Sequence, residues 1–312
     1  HALHNRHTIW RAEVSKLFAS GDAISKVYKL ATNNELPAIV HNLGDVSLTA
    51  KANGTDADLS LNAVVGCAPG SVKLSASKQQ KALHAHVETR NFALDKLLGT
   101  DKTGVVSLSV DAKGSSKDNV SASGSIYDIC YNGYTYRNID LKADYINKVL
   151  SGSMAIDDPN VRATIEGLFE PNHRAPHLRV NADVQTFVPA ALKLTNKWNN
   201  ALFSVSTVCD IKGSNLNNAE GQVDISNFTM QNADSCYSIR NINVVTGFDN
   251  GNHFLNLKSD FGTIDLNGHF SYNSIARSVL NLIADKLPTI PGLEKKPQTE
   301  HNDFTVNAYI HN

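Results

Sequence analysis

The sequence lacks a basic surplus, paired cysteines, aromatic clusters and long apolar runs, and each absence removes a class of function. Lys and Arg number 29 against 30 Asp and Glu, for a formal net charge of -1. A nucleic-acid binder carries a positive footprint that this balance does not supply. Aromatics make up only 7% of the chain, which also argues against base stacking. No stretch of 18 apolar residues is present, so nothing is expected to span a bilayer as a helix.

The four cysteines, Cys67, Cys130, Cys209 and Cys236, are scattered without a C-x-x-C. That spacing argues against zinc, and Cys209 falls on an apolar stripe, where a free thiol acts as a small hydrophobe. The expectation is four unpaired structural thiols. G-x-S-x-G, P-loop and Cys/His nucleophile patterns are missing too. No catalytic residue, cofactor or metal is therefore expected.

The histidines give no metal-ligand spacing. His84 and His86 form an H-x-H opposite Leu83, Ala85 and Val87, which turns them to solvent. His173 and His177 sit beside Pro171 and Pro176, and His1, His4 and His7 crowd one end. Asp157-Asp158 resembles an acid pair, but Pro159-Asn160 make the segment a turn.

What the sequence has in abundance is one-sided alternation. In Gly104–Gly114, Val106, Leu108, Val110 and Ala112 alternate with Ser107, Ser109, Asp111 and Lys113. Period two is the mark of a strand with one dry and one wet face. The pattern returns in Phe203–Gly213 as Phe203, Val205, Thr207, Cys209 and Ile211. Matched glycines recur about every hundred residues: Gly114 and Gly213 are 99 apart, Gly124 and Gly221 are 97, Gly167 and Gly268 are 101. From Val46 onward strand follows strand, roughly 15 to 17 in all by this pattern.

Helical periodicity is confined to a few places. Val14, Leu17, Phe18, Ile24, Val27 and Tyr28 suggest a helix to about Thr32, broken near Gly21. Short helical patches are expected at Phe92–Leu98 and Phe187–Leu194. Ser274–Leu287 is the clearest helix, with a cap at Asn273 or Ser274 and a stop at Pro288. It reads as a plug on the sheet, or as a membrane-surface or gating helix. The expected organisation is a helical lead-in at 1–40, β units at 41–100, 101–200 and 201–290, and at 291–312 a polar linker with the start of another unit. His1 and the partnerless strand Asp303–Asn312 suggest a piece of a longer protein.

These features resemble a known family. "NFALDKLLGTDKTGVVSLSVDAKG" (Asn91–Gly114) and "YRNIDLKADYINKVLSGSMAIDDPNVRATIEGLFE" (Tyr136–Glu170) are similar to the helix-then-strand joints of the TamB family of AsmA-like proteins. "ELPAIVHNLGDVSLTAKANG" (Glu35–Gly54) and "NDFTVNAYIHN" (Asn302–Asn312) also fit, and the versions from Bacteroidetes fit best. The match is one of glycine spacing and alternation over nearly the whole chain. It implies a central or C-terminal-half fragment of a periplasmic protein anchored in the inner membrane of a Gram-negative cell. The family's body is an elongated, mostly β, curled sheet, a half-pipe or β-taco with a hydrophobic interior. Phospholipid acyl chains and an outer-membrane β-barrel of the assembly-factor type are the implied partners. The implied activity is lipid transfer between membranes, or scaffolding of outer-membrane protein assembly.

Alternation read by itself points to an aliphatic groove. Val106, Leu108, Val110, Ile139, Leu141, Met154, Ile156, Ile165, Val205, Ile242, Leu257 and Leu266 are expected to line it. The same alternation is compatible with an ordinary sandwich or closed-barrel core, as in an extracellular adhesive array.

Overall fold

The structure is a computed structural model that describes residues 9–55, 57–116, 118–171, 175–198, 200–286 and 294–311. The fold is mostly antiparallel β, with 63% of residues in strands and 12% in helices, and its sheet is not closed into a barrel. Contacts divide the chain into two compact units. The first is His1–Thr164 with Val188–Asn200, and the second is Ile165–Phe187 with Ala201–Asn312.

In the first unit the strands run as a meander: β1 Trp10–Ala19, β2 Val46–Gly54, β3 Asp58–Cys67, β4 Gly70–Gln79, β5 Ala82–Ala93, β6 Thr103–Ser116, β7 Asn119–Tyr131, β8 Tyr134–Ile146 and β9 Val149–Asp158. Each pairs antiparallel with the next. Strand β10, Val161–Glu170, begins in this unit and ends in the other. The second unit continues with β11 His177–Phe187, β12 Leu202–Lys212, β13 Glu220–Gln231, β14 Cys236–Asp249, β15 Asn252–Ser259, β16 Gly262–His269 and β17 Asp303–Ile310. Its strands also pair in chain order, so β17, read from the sequence as partnerless, has β16 as its partner.

Helices are short and sit between strands: α1 Gly21–Thr32, α2 Ala38–His41, α3 Leu94–Leu98 and α4 Ile275–Lys286. Ser20 caps α1, its hydroxyl accepting from Ala23 N at 3.3 Å, and Asn33 closes it in the left-handed region. Among the described residues no helix is long and apolar enough to cross a membrane.

Three helical readings are corrected. Trp10–Ala19 is β1, so only the later part of the helical lead-in is helical. The register of β1 on β2 shifts between Val14 and Leu17, marking a bulge. A bulge inserts residues into a period-two pattern and mimics the three-to-four spacing of a helix. At 187–194, Phe187 ends β11 and the next residues form successive turns, with Leu192 N bonded to Val188 O and Leu194 N to Pro189 O. At 92–98 the helix shrinks to α3, because Phe92 and Ala93 still pair with Val106 and Val105. By contrast α4 falls where its periodicity placed it; Leu287, Pro288, His1, His4, His7 and His173 lie outside the described residues.

Most of the repeated glycines, though not Gly167, mark close approaches between strands. Gly124 faces Val110, and a Cβ there would lie 2.4 Å from Ser109 O. Its counterpart Gly221 faces Ile211, with φ +143° and a would-be Cβ 2.0 Å from Asp210 O. Gly221→Val combines a strained φ with a backbone clash, and is expected to destabilise the second unit by about 3–5 kcal/mol. A thermal melt followed by circular dichroism should show a transition lowered by on the order of 10 °C.

Candidate functional site

Cross-strand partners share a face, so the register converts the separate stripes into rows. In the first unit one row runs Leu17, Leu48, Val65, Val72, Thr89, Leu108, Ile126, Ile139, Ile156, one residue from each of nine strands. The second row is Val14, Ala50, Ala63, Leu74, Val87, Val110, Gly124, Leu141, Met154. Next come Ala12, Ala52, Leu61, Ala76, Ala85, Ala112, Ala122, Ala143 and Gly152, almost all small. A fourth row returns to larger groups, including Leu59, Leu83, Val120, Tyr145 and Leu150. The small-residue row is therefore a shallow trough running across the strands between taller aliphatic rows. Eight strand spacings of about 4.8 Å make it about 38 Å long.

This face is only partly covered. Thr89, the polar member of the first row, is buried and donates its hydroxyl to Ser71 O at 2.7 Å, which removes its need for water. Val106, Ile139 and Ile156 are buried, whereas Leu108, Val110, Leu141 and Met154 are half-buried and Leu83 is 56% exposed. The chain exposes 20578 Å² in total. Two separate globular domains of half its mass would together expose about 15,000 Å². The sequence alone could not separate a packed core from an open face; this excess surface and the half-buried rows favour the open one.

In the second unit a segment of the same unit covers part of the dry face. In the second unit the rows include Leu178, Ile211, Gly221, Thr246, Leu255, Leu266 and Val306, and beside them Val180, Cys209, Val223, Val244, Leu257, Ile264 and Ala308. Helix α4 lies on this face over β15–β17. Ile275 packs with Leu266 and Phe270, ringed by Leu255, Ile264, Val279, Phe304 and Val306. Leu266 is 6% exposed beneath this helix, as deeply buried as Val106, Ile139 and Ile156 in the first unit. Leu257 and Ile242 are half-buried in rows of the same sheet, Val205 pairs with Val184, and Ile165 is half-buried in β10. Polar bonds fasten α4: Asn302 Nδ2 donates to Ser278 Oγ at 2.7 Å, and Ser274 Oγ donates to Glu300 at 2.6 Å. The latter bond also holds the Glu300 carboxyl below its usual pKa.

In the first unit the segment Val188–Asn200 acts as a strap. Val188 N donates to Asn160 O at 2.9 Å, and Lys193 Nζ donates to Gly133 O at 2.6 Å. Pro189 and Leu192 are fully buried. Nearby, Asp158 ends β9 as a buried carboxylate that accepts from Tyr134 Oη and from Asn160 N at 2.9 Å. Its other oxygen has no hydrogen-bond partner among the described residues. Burial, reinforced by the bond to Asp158, pushes the Tyr134 phenol pKa up. The turn at Pro159-Asn160 was legible in the sequence, but the burial of Asp158 and the strap were not.

The wet face carries charge pairs. His84 and His86 share it, as expected, and both meet Asp111, at 3.4 and 3.1 Å. His177 bridges Glu170 at 3.1 Å and Asp210 at 2.5 Å, and its hydrogen bond lowers the Asp210 pKa. No group of three or more His, Cys, Asp or Glu among the described residues is arranged to hold a metal ion. All four cysteines are unpaired, and burial raises the Cys209 thiol pKa. No protein-family model, curated protein or solved structure matches the chain.

Proposed function

We propose that the chain is a non-enzymatic lipid-carrying segment of a cell-envelope protein, sheathing phospholipid acyl chains on its dry face in the space between two membranes. The observation that carries this reading is the set of apolar rows running in register across nine strands of the first unit and left partly open. Methylene groups laid on such a surface contribute about 0.8 kcal/mol each when fully buried. The attraction is non-directional, so equivalent aliphatic positions in successive strands let a chain slide instead of fixing it. The family resemblance in Asn91–Gly114 and Tyr136–Glu170 points to the same reading, with a periplasmic location as part of the proposal.

The test is native mass spectrometry of the chain purified from cells without detergent, with lipid extraction in parallel. Phospholipid bound to the folded protein supports the reading. A lipid-free protein that also refuses added labelled phospholipid overturns it, and crosslinks to unfolded outer-membrane polypeptide in its place would favour the scaffold.

A further inference from the structure

Strand β17 keeps one edge open. Its register on β16 runs unbroken from Ile310 opposite Gly262 to Asp303 opposite His269, and it pairs with no further strand among the described residues. Backbone parity shows which of its groups are unspent. His311 N donates to Phe261 O at 3.0 Å, and these two residues face each other in the same register. Bonded pairs alternate along an antiparallel ladder, so the odd-numbered residues of β17 are the ones that bond to β16. Phe304, Val306, Ala308 and Ile310 therefore turn their N–H and C=O groups to the open edge.

An open edge is a template for another strand, and proteins blunt such edges with bulges, charges or proline. Strand β1, at the edge of the first unit, carries two of these devices: the bulge between Val14 and Leu17, and the charged residues Arg11, Glu13 and Lys16. Strand β17 has no bulge, no proline and no charge after Asp303. Its alternation is regular, with Phe304, Val306, Ala308 and Ile310 on the dry side and Thr305, Asn307 and Tyr309 on the wet side. Tyr309 and Ile310 are 64% and 89% exposed.

We infer that β17 pairs antiparallel with β17 of a second copy of this chain, across a two-fold axis. Such an axis uses the same patch on both copies and closes the assembly at a dimer. Parity restricts the register, because the even-numbered residues that point outward must face one another. One register uses all four: Phe304 opposite Ile310 and Val306 opposite Ala308, each facing pair exchanging two hydrogen bonds. The same register sets Thr305 opposite Tyr309, Asn307 opposite its own counterpart, and Asp303 opposite His311, a complementary pair at each end of the joint. A slip of two residues places Ile310 against Asn302 and separates Asp303 from His311. Dry residues meet dry residues, so the row Leu255, Leu266, Val306 runs on into Ala308, Ile264 and Leu257 of the second copy. The joint rests on the edge of β17 and does not depend on the lipid reading.

Sedimentation velocity of the whole chain over a range of concentrations tests it. A joint of one strand on another is small, so the expected result is a concentration-dependent monomer–dimer equilibrium. Ala308→Pro deletes an N–H that points to the open edge and none that serves β16, a place where an edge strand tolerates proline. It is expected to weaken the dimer about tenfold or more while circular dichroism shows the fold retained. A second pair of variants reads the register. Asn307 sits on the axis, in a facing pair whose Cβ atoms are about 5 Å apart. On oxidation Asn307→Cys is expected to give a disulfide-linked dimer above the background set by the four native cysteines. Thr305→Cys, which faces Tyr309 of the second copy, is expected to give none. A monomer at every concentration overturns the joint. So does a dimer that Ala308→Pro leaves intact and in which Asn307→Cys crosslinks no better than Thr305→Cys, because the copies then meet elsewhere.

Discussion

Leu141→Asp is expected to strip co-purifying phospholipid from the chain while lowering the melting temperature by only about 2–4 °C. Leu141 is half-buried in the second row of the first unit, between Gly124 on β7 and Met154 on β9. In the free protein a carboxylate there keeps contact with water, so the change costs little more than the lost aliphatic contacts. About 1 kcal/mol in a unit of this size shifts the melting temperature by a few degrees. Under an acyl chain the same carboxylate loses its hydration without gaining a partner, at several kcal/mol. That difference corresponds to a hundredfold or greater loss of lipid affinity. Lys142→Gln, the next residue in β8 and on the wet face, provides the control and should retain lipid. The measurement is lipid extraction and native mass spectrometry on the three proteins, with circular dichroism melts in parallel. A Leu141→Asp protein that is well folded and still fully lipid-loaded would sink the conduit. A protein that fails to fold would show that the face is a closed core.

That prediction could be framed from the sequence because alternation survives in each strand. Val106, Leu108 and Val110 share a face whatever strand lies next to them, since period two is a property of the backbone. Which residues meet across strands was not legible. It depends on the turn lengths, such as the two-residue link between Asp158 and Val161, and on bulges such as the one between Val14 and Leu17. The alanine trough emerges only once Ala76, Ala85, Ala112, Ala122 and Ala143 are set in register. The same bulge explains why β1 read as a helix. Helix α4 was legible because its period is unbroken from Ile275 to Ile283, but nothing local to it shows that Leu266, on β16, is its seat. The strap escaped for a similar reason. Pro189 and Leu192 fall in a segment that reads locally as a short helix, whereas the structure buries them in turns tied to Gly133 and Asn160 by long-range bonds.

Ile275→Asp should therefore have the opposite signature to Leu141→Asp: a large loss of stability together with a gain of apolar surface. Ile275 is 6% exposed and meets Leu266 and Phe270 at the centre of the α4 contact. Removing its side chain costs about 2–5 kcal/mol, and an unpaired carboxylate in its place adds to that. The second unit should melt on the order of 10 °C lower. Below that transition α4 detaches readily and uncovers Leu255, Ile264, Leu266 and Val306, so binding of a hydrophobic dye or of labelled phospholipid should rise several-fold. Leu280→Asp is the matched control, because Leu280 is on the same helix but 53% exposed; it should leave both the melt and the dye signal unchanged. If α4 were an outward-facing membrane helix, Leu280→Asp would be the variant that weakens vesicle binding and Ile275→Asp would not expose the sheet. The packing of Ile275 on Leu266 assigns α4 to the sheet, where it occupies the surface that the lipid reading gives to acyl chains elsewhere on the dry face. A rise in lipid binding on its release thus tests two things at once: that α4 is a stopper, and that the surface beneath it is of the kind that lipid covers.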